Sequence, residues 1–183
     1  MRDLFYRSFE KFLALESDNI LSGVSERNLC NRLGLCLEDE RKARGLEGYY
    51  VDAEYNRQQN GQVKTLLNGN YEEVSITCDL ILHSRGGSVA RDNLIAIEMK
   101  KSSRPGAEKK KDRIRLIALT KKSYDDVWSN DGVTHPKYVC GYELGIFMEL
   151  DIRRGLVKIE EFQGGAASGR REFPLAPVRA PER

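Results

Sequence analysis

From Val74 to His83 the chain alternates with a period of two. Val74, Ile76, Cys78, Leu80 and Leu82 share one side, and Ser75, Thr77, Asp79, Ile81 and His83 share the other. That is the pattern of a strand with one face against a core. After the loop at 84–92 (SRGGSVARD), Asn93 to Lys101 reads as a second strand, apolar until Glu98. Two adjacent strands predict a hairpin, which is not stable alone and needs further strands and helices to cover it. Pairing His83 with Leu94 makes opposed residue numbers sum to 177, so Asp79 stands across from Glu98 with Cβ atoms ~5 Å apart. Glu98 and Lys100 are two apart and project from the same face. A slip of two residues keeps this convergence, and a slip of one destroys it.

The remaining elements follow from the same periodicities. Leu4, Phe5, Phe9, Phe12 and Leu13 recur at helical spacing, so they predict a core or packing stripe, with a dimer contact as the sharper alternative. Ser17, Asp18 and Asn19 are expected to interrupt that helix. Ser25 offers an N-cap to a second helix carrying Leu29, Leu33 and Leu37. Tyr49 to Asn56 reads as a strand, 57–70 as a turn-rich loop, and 107–122 as a helix burying Ile114, Ile117 and Ala118. Tyr138 to Leu150 and Gly155 to Phe162 read as two more strands. The order α, β, β, β, α, β, β predicts an α/β chain with a mixed sheet flanked by helices. Residues 1–162 are expected to form one domain, with 1–20 as a helical extension. The Gly-, Pro- and Arg-rich stretch 163–183 is expected to be a flexible tail.

Several chemistries are disfavoured by what the chain contains. Cys30, Cys36, Cys78 and Cys140 stand at scattered spacings, which predicts reduced thiols in a cytoplasmic protein. The histidines, His83 and His135, adjoin neither a cysteine nor each other, which disfavours zinc and leaves a histidine triad few options. There is no GxxxxGK[ST] or GxGxxG. No apolar run approaches the ~18 residues of a membrane span, and no leader pattern opens the chain.

Net charge is only +2 over 183 residues, but residues 98–122 hold ten basic side chains against Glu98, Glu108 and Asp112. A local stripe of +7 is what a phosphate backbone would feel. The plainer reading of such a run is a solvated helix face. Lys101, Arg104, Lys109, Lys110 and Lys111 are the candidate phosphate contacts, while Arg113 and Arg115 are candidates for packing on the sheet or pairing with carboxylates.

Two carboxylates this close repel unless positive charge lies between them. Lys100 alone gives a structural ion triad, which contributes little to stability. A magnesium ion, held by one or two carboxylates and a substrate phosphate, satisfies them better. Lys100 then orients or deprotonates a water and offsets charge on the phosphoryl group. Acid, acid and lysine around a metal is a phosphodiester-hydrolysing set, although an E-x-K triplet alone carries little weight. Glu26, one turn before Cys30, has two readings: a carboxylate favouring the helix N-terminus, or a further ligand. His83, on the face of Asp79, is either a strand-end histidine with an ordinary hydrogen bond or a contact to the site.

Together, Glu26, Asp79 and Glu98-Met99-Lys100 resemble the PD-(D/E)XK nuclease superfamily, the restriction-endonuclease-like fold. Val51-Asp52-Ala53-Glu54-Tyr55-Asn56-Arg57, the stretch from Cys78 to Gly86, and Ile97 to Ser102 are similar to a group of its bacterial members. Asp112 to Leu116 with Thr120, and Gly141 to Leu150, continue the likeness, which covers residues 26–150. The resemblance implies a mixed sheet flanked by helices and magnesium or manganese as cofactor. It maps Asp79, Glu98 and Glu26 to metal ligation, Lys100 to catalysis, and Glu54 to a supporting contact. It also implies a DNA endonuclease linked to restriction or phage defence, with DNA and a second copy or a defence-complex protein as partners. The competing class is a nuclease-like module that binds nucleic acid or scaffolds such a complex without cleaving. Cys78 stands where the family signature has proline.

Overall fold

A computed structural model of the chain describes residues 1–54, 65–67, 73–75, 77–88, 90–122 and 140–176. Two helices, α1 (Arg2–Leu21) and α2 (Glu26–Ala43), come first. The strands β1 (Tyr50–Ala53), β2 (Thr65–Leu67), β3 (Glu73–Ser75), β4 (Leu80–His83) and β5 (Asn93–Lys101) follow. Helix α3 (Gly106–Leu119) leads to β6 (Leu144–Asp151), a 3-10 turn, β7 (Leu156–Gln163) and β8 (Ala166–Pro174). Six strands form one sheet in the order β1-β4-β5-β6-β7-β8, and β2 pairs with β3 apart from it. Only β5 and β6 run parallel within the six-stranded sheet, with α3 in the connection between them. The architecture is thus mixed α/β. Among the described residues no helix is long and apolar enough to cross a membrane.

The pleat of β5 divides the interior. Ile95, Ile97 and Met99 join the Phe-rich stripe of α1 and the leucines of α2 in one core. Ala96 packs with Ile81, Leu116, Leu119, Phe147 and Phe162 in a second core under α3. Central strands covered on both faces read as nearly unbroken apolar runs, which is why β5 and β6 carry so few polar residues. Glu98 follows Ala96 on the α3 side, so it enters an interior built for hydrocarbon.

Helix α1 does not stop at Ser17. The Ser17 hydroxyl donates to the Leu13 carbonyl at 2.6 Å, which satisfies it within the helix, so the polar triplet is tolerated up to Leu21. Phe5, Phe9 and Phe12 are fully buried, so the stripe is core, not a free contact surface. Ser25 caps α2 as expected, its Oγ accepting from the Asn28 N–H at 3.2 Å.

Three other expectations need correction. The segment 163–174, expected within a flexible tail, forms the turn and outer strand of a hairpin. Gly164 and Gly165, at φ 59° and 80°, make the tight turn that matches strand twist. Phe173 then anchors the strand by packing edge-on to Phe9, with ring centroids 5.0 Å apart. Val74 to His83 is not one strand, because β3 pairs away with β2 and β4 begins only at Leu80. In α3 the buried side is Leu116, Ala118 and Leu119 together with Asp112, and Ile114 is 45% exposed. Packing of Leu116, Ala118 and Leu119 against the sheet goes with this rotation of the helix, which its weak apolar pattern does not specify. Tyr55 to Arg57, His135 and Tyr138 lie outside the described residues.

Helix α3 packs closely on β6 because residue 145 is glycine. A Cβ there would stand 2.9 Å from Thr120 Cγ2 and 3.2 Å from Phe162 Cβ. Gly145→Ala is therefore expected to lose about 1–3 kcal/mol by overpacking. A urea midpoint unchanged from the parent would refute this packing.

Candidate functional site

The site is built where β4 begins and β5 ends. The register of β4 against β5 is Leu80↔Ile97, Ile81↔Ala96 and Leu82↔Ile95, so the sum of 177 holds through these pairs, and a bulge sets His83 against Asn93. Beyond the Leu80↔Ile97 pair, the β5 N–H groups that face the β4 side have no partner strand, and two carboxylates take them. Asp79 Oδ2 accepts from the Met99 N–H at 2.9 Å, and Glu26 Oε1 from the Lys101 N–H at 2.8 Å. The acids arrive from different elements, Glu26 from the first turn of α2 and Asp79 from the residue before β4.

Lys100 holds the centre. Its Nζ lies 3.0 Å from Asp79 Oδ2, 3.5 Å from Asp112 Oδ2 and 4.0 Å from Glu98 Oε2. It also donates to the Met99 carbonyl at 3.2 Å. Arg115 Nη1 bridges Glu98 Oε1 and, at 3.2 Å, Asp112 Oδ1. Asp79, Glu98 and Lys100 thus converge as the register requires, while Asp112 and Arg115 complete the cluster. Three carboxylates face two cations, which leaves one negative charge uncompensated when all are ionised.

Burial, and then the charge of Asp79, push the Glu98 carboxyl up to about 8, against the pull of Arg115. Burial likewise raises Asp112, with Lys100 opposing. For Lys100, burial disfavours the charge, but Asp79 outweighs it with help from Asp112 and Glu98, and the amine is held above its usual range. As arranged, it donates protons to hydrogen bonds and does not accept them. Glu98 is 0% exposed and Asp112 is 5% exposed. Glu98 Oε2 and Asp112 Oδ2 are buried with no hydrogen-bond partner.

A cleft of 490 Å³ opens beside the cluster, lined among others by Glu26, Cys30, Glu54, Asp79, Lys101 and Arg104. Asp79, at 28% side-chain exposure, connects the cleft to Lys100. Glu98 and Lys100 lie behind it. At the mouth, Arg104 grips Glu26 through both oxygens at 3.1 Å. Burial raises the Glu26 carboxyl, but Arg104 and the Lys101 N–H overcome it and hold the group low. Glu54, in the left-handed region at φ 49°, pairs with Arg27 at 2.8 Å. The Cys30 thiol is pushed up by burial, which suits a packing residue better than a nucleophile.

The basic stretch divides in two. Lys101 Nζ donates to the Gly23 carbonyl at 2.7 Å, and Lys109 bonds Glu149 at 2.9 Å and the Ser102 carbonyl at 3.1 Å. Arg113 pairs with Glu160 at 2.8 Å and stacks on Phe147 with its guanidinium carbon 4.0 Å from the ring centre. Lys110 and Lys111 are exposed and Arg104 half so, leaving these three best placed for a phosphate. His83 is buried and bonded to Asp52 at 2.9 Å, and Arg85 holds the same carboxylate. That is the strand-end reading of His83.

Asp112 escapes notice as one acid within a basic run, yet helical spacing sets it on the stripe of Leu116 and Leu119. An acid on a buried stripe next to an E-x-K strand is the signal that finds it.

For magnesium the fit is partial. Oxygen donors and two buried oxygens without a hydrogen bond suit a hard cation. Among the described residues, however, no three His, Cys, Asp or Glu side chains are already grouped to hold one. Glu26 in particular is spent on Arg104 and the β5 backbone. No protein-family model, curated protein or solved structure matches the chain.

A further acid lies away from the site and ties the sheet to α1. Glu161 is 2% exposed; it accepts from the Tyr6 hydroxyl at 2.6 Å and pairs with Arg2. Burial raises its carboxyl, but Tyr6 and Arg2 overcome this and hold it below the usual range. A depressed folded value means stability present above the unfolded value of ~4.3 and lost as pH falls through the folded one. Glu161→Gln is therefore expected to flatten the fall of melting temperature as pH drops below about 4.3. An acid limb as steep as the parent's would contradict this.

Proposed function

We propose that the chain is a metal-dependent phosphodiesterase acting on nucleic acid. The observation that supports this reading is the convergence of Asp79, Glu98 and Lys100 at the ends of two paired strands, beside an open cleft. Asp79 and Glu98 would hold magnesium or manganese, whose chemistry is to polarise a phosphoryl oxygen and activate water. Lys100, kept protonated by its acids, supplies positive charge where a pentacovalent phosphate would accumulate negative charge. Glu26 fixes the end of β5 through the Lys101 N–H and holds Arg104 at the cleft mouth, where a phosphate can compete for it. Arg104, Lys110 and Lys111 supply the sequence-independent attraction to a polyanion. The likeness to PD-(D/E)XK nucleases adds DNA and a role in restriction or phage defence.

A second reading is favoured by one observation: Glu98 is closed from solvent and bonded to Arg115. It makes the chain a non-catalytic module that binds nucleic acid or scaffolds a complex. Incubation with plasmid and single-stranded DNA in magnesium, manganese or chelator separates the two. The nuclease reading expects cutting with metal only, lowered about 10²-fold or more by Glu98→Gln. Salt-sensitive binding without cutting in either metal would establish the module instead.

A further inference from the structure

We infer that Asp112 is a positioning residue for Lys100, taking its ammonium when a cation engages Asp79; this rests on the metal-dependent reading above. Asp79 Oδ2 carries two duties, accepting from the Met99 N–H at 2.9 Å and from Lys100 Nζ at 3.0 Å. A cation bound through Asp79 competes with the ammonium for the same carboxylate. In a buried cluster an ammonium left with only the Met99 carbonyl at 3.2 Å and no close carboxylate is costly, so cation uptake needs a second carboxylate for it.

Asp112 provides that place. It sits on the buried side of α3, with Oδ1 3.2 Å from Arg115 Nη1, while Oδ2 is buried and has no hydrogen-bond partner. That oxygen already forms an ion pair with Lys100 Nζ at 3.5 Å, short of a hydrogen bond. A shift of roughly 0.5 Å turns this approach into a full charged hydrogen bond. A buried carboxylate oxygen without a hydrogen bond is normally selected against. Here it faces the group that has to change partners. Glu98 Oε2, which also lacks a hydrogen bond, lies farther away at 4.0 Å and belongs to the pair that would hold the cation.

The test is calorimetric titration of Mg²⁺ into five 183-residue proteins: the parent, Asp112→Asn, Lys100→Met, the double variant and Asp112→Glu. If Asp112 acts through Lys100, Asp112→Asn weakens Mg²⁺ about tenfold in the parent and less than twofold beside Lys100→Met, a coupling of ordinary size for contacting residues. Asp112→Glu, which keeps the carboxylate, stays within about threefold of the parent. An equal factor in both backgrounds means that Asp112 contributes only charge, and overturns the assignment while leaving the metal reading intact. Absence of Mg²⁺ uptake by the folded parent overturns both. Circular dichroism checks folding, with Asp112→Ser and Lys100→Gln replacing any variant that does not fold.

Discussion

Lys100→Met is expected to abolish metal-dependent cutting, by about 10³-fold, and to destabilise the chain in chelator by about 3 kcal/mol. Both effects come from one position. The ammonium stands within 4.0 Å of Asp79, Glu98 and Asp112, so its loss leaves Arg115 alone against three carboxylates. Methionine fills similar space without charge, so cavity formation adds little. Magnesium in hundredfold excess over its dissociation constant should restore about 2.7 kcal/mol, since only the folded chain offers the site. Denaturant titration in chelator and in magnesium reads this directly. Equal stability in the two buffers would mean that no cation replaces the ammonium.

At a pH above about 8, where Glu98 is ionised, Arg115→Met is expected to cost about 3–5 kcal/mol, the scale for removing one partner from a buried ion pair. Arg115 Nη1 serves both Glu98 and Asp112, and both acids are buried. Methionine keeps most of the aliphatic stem, so the loss reports the charge. Adding Glu98→Gln should recover part of it, because the amide removes the stranded charge at its source. A loss below about 1 kcal/mol for Arg115→Met would show that Glu98 is held neutral at little cost and that the bridge is incidental.

The β4–β5 register was legible because strand alternation is exact in period, and Leu80↔Ile97 to Leu82↔Ile95 follow the expected sum. The cap at Ser25 was legible for a similar reason, being a local hydrogen bond. Other features depend on distant contacts. Ser17 stays helical through its bond to Leu13, and Ala166–Pro174 is a strand because Phe173 finds Phe9 and Tyr6. Composition alone makes both places read as breaks. At the site, Asp79, Glu98 and Lys100 meet because neighbouring strands impose it. Asp112 and Arg115 enter from a helix whose rotation is fixed by tertiary packing, with Ile114 turned outward. Helix rotation was the part that local pattern left open. The same packing shows why Lys109, a candidate phosphate contact from its charge, is tied to Glu149.

If the strand carboxylates share a divalent cation, anomalous scattering from crystals soaked in Mn²⁺ should reveal it. One strong peak is expected within bonding distance of carboxylate oxygens from both Asp79 and Glu98, absent in Asp79→Asn crystals. A map with no manganese there, and the Lys100 ammonium still seated on Asp79, would contradict it.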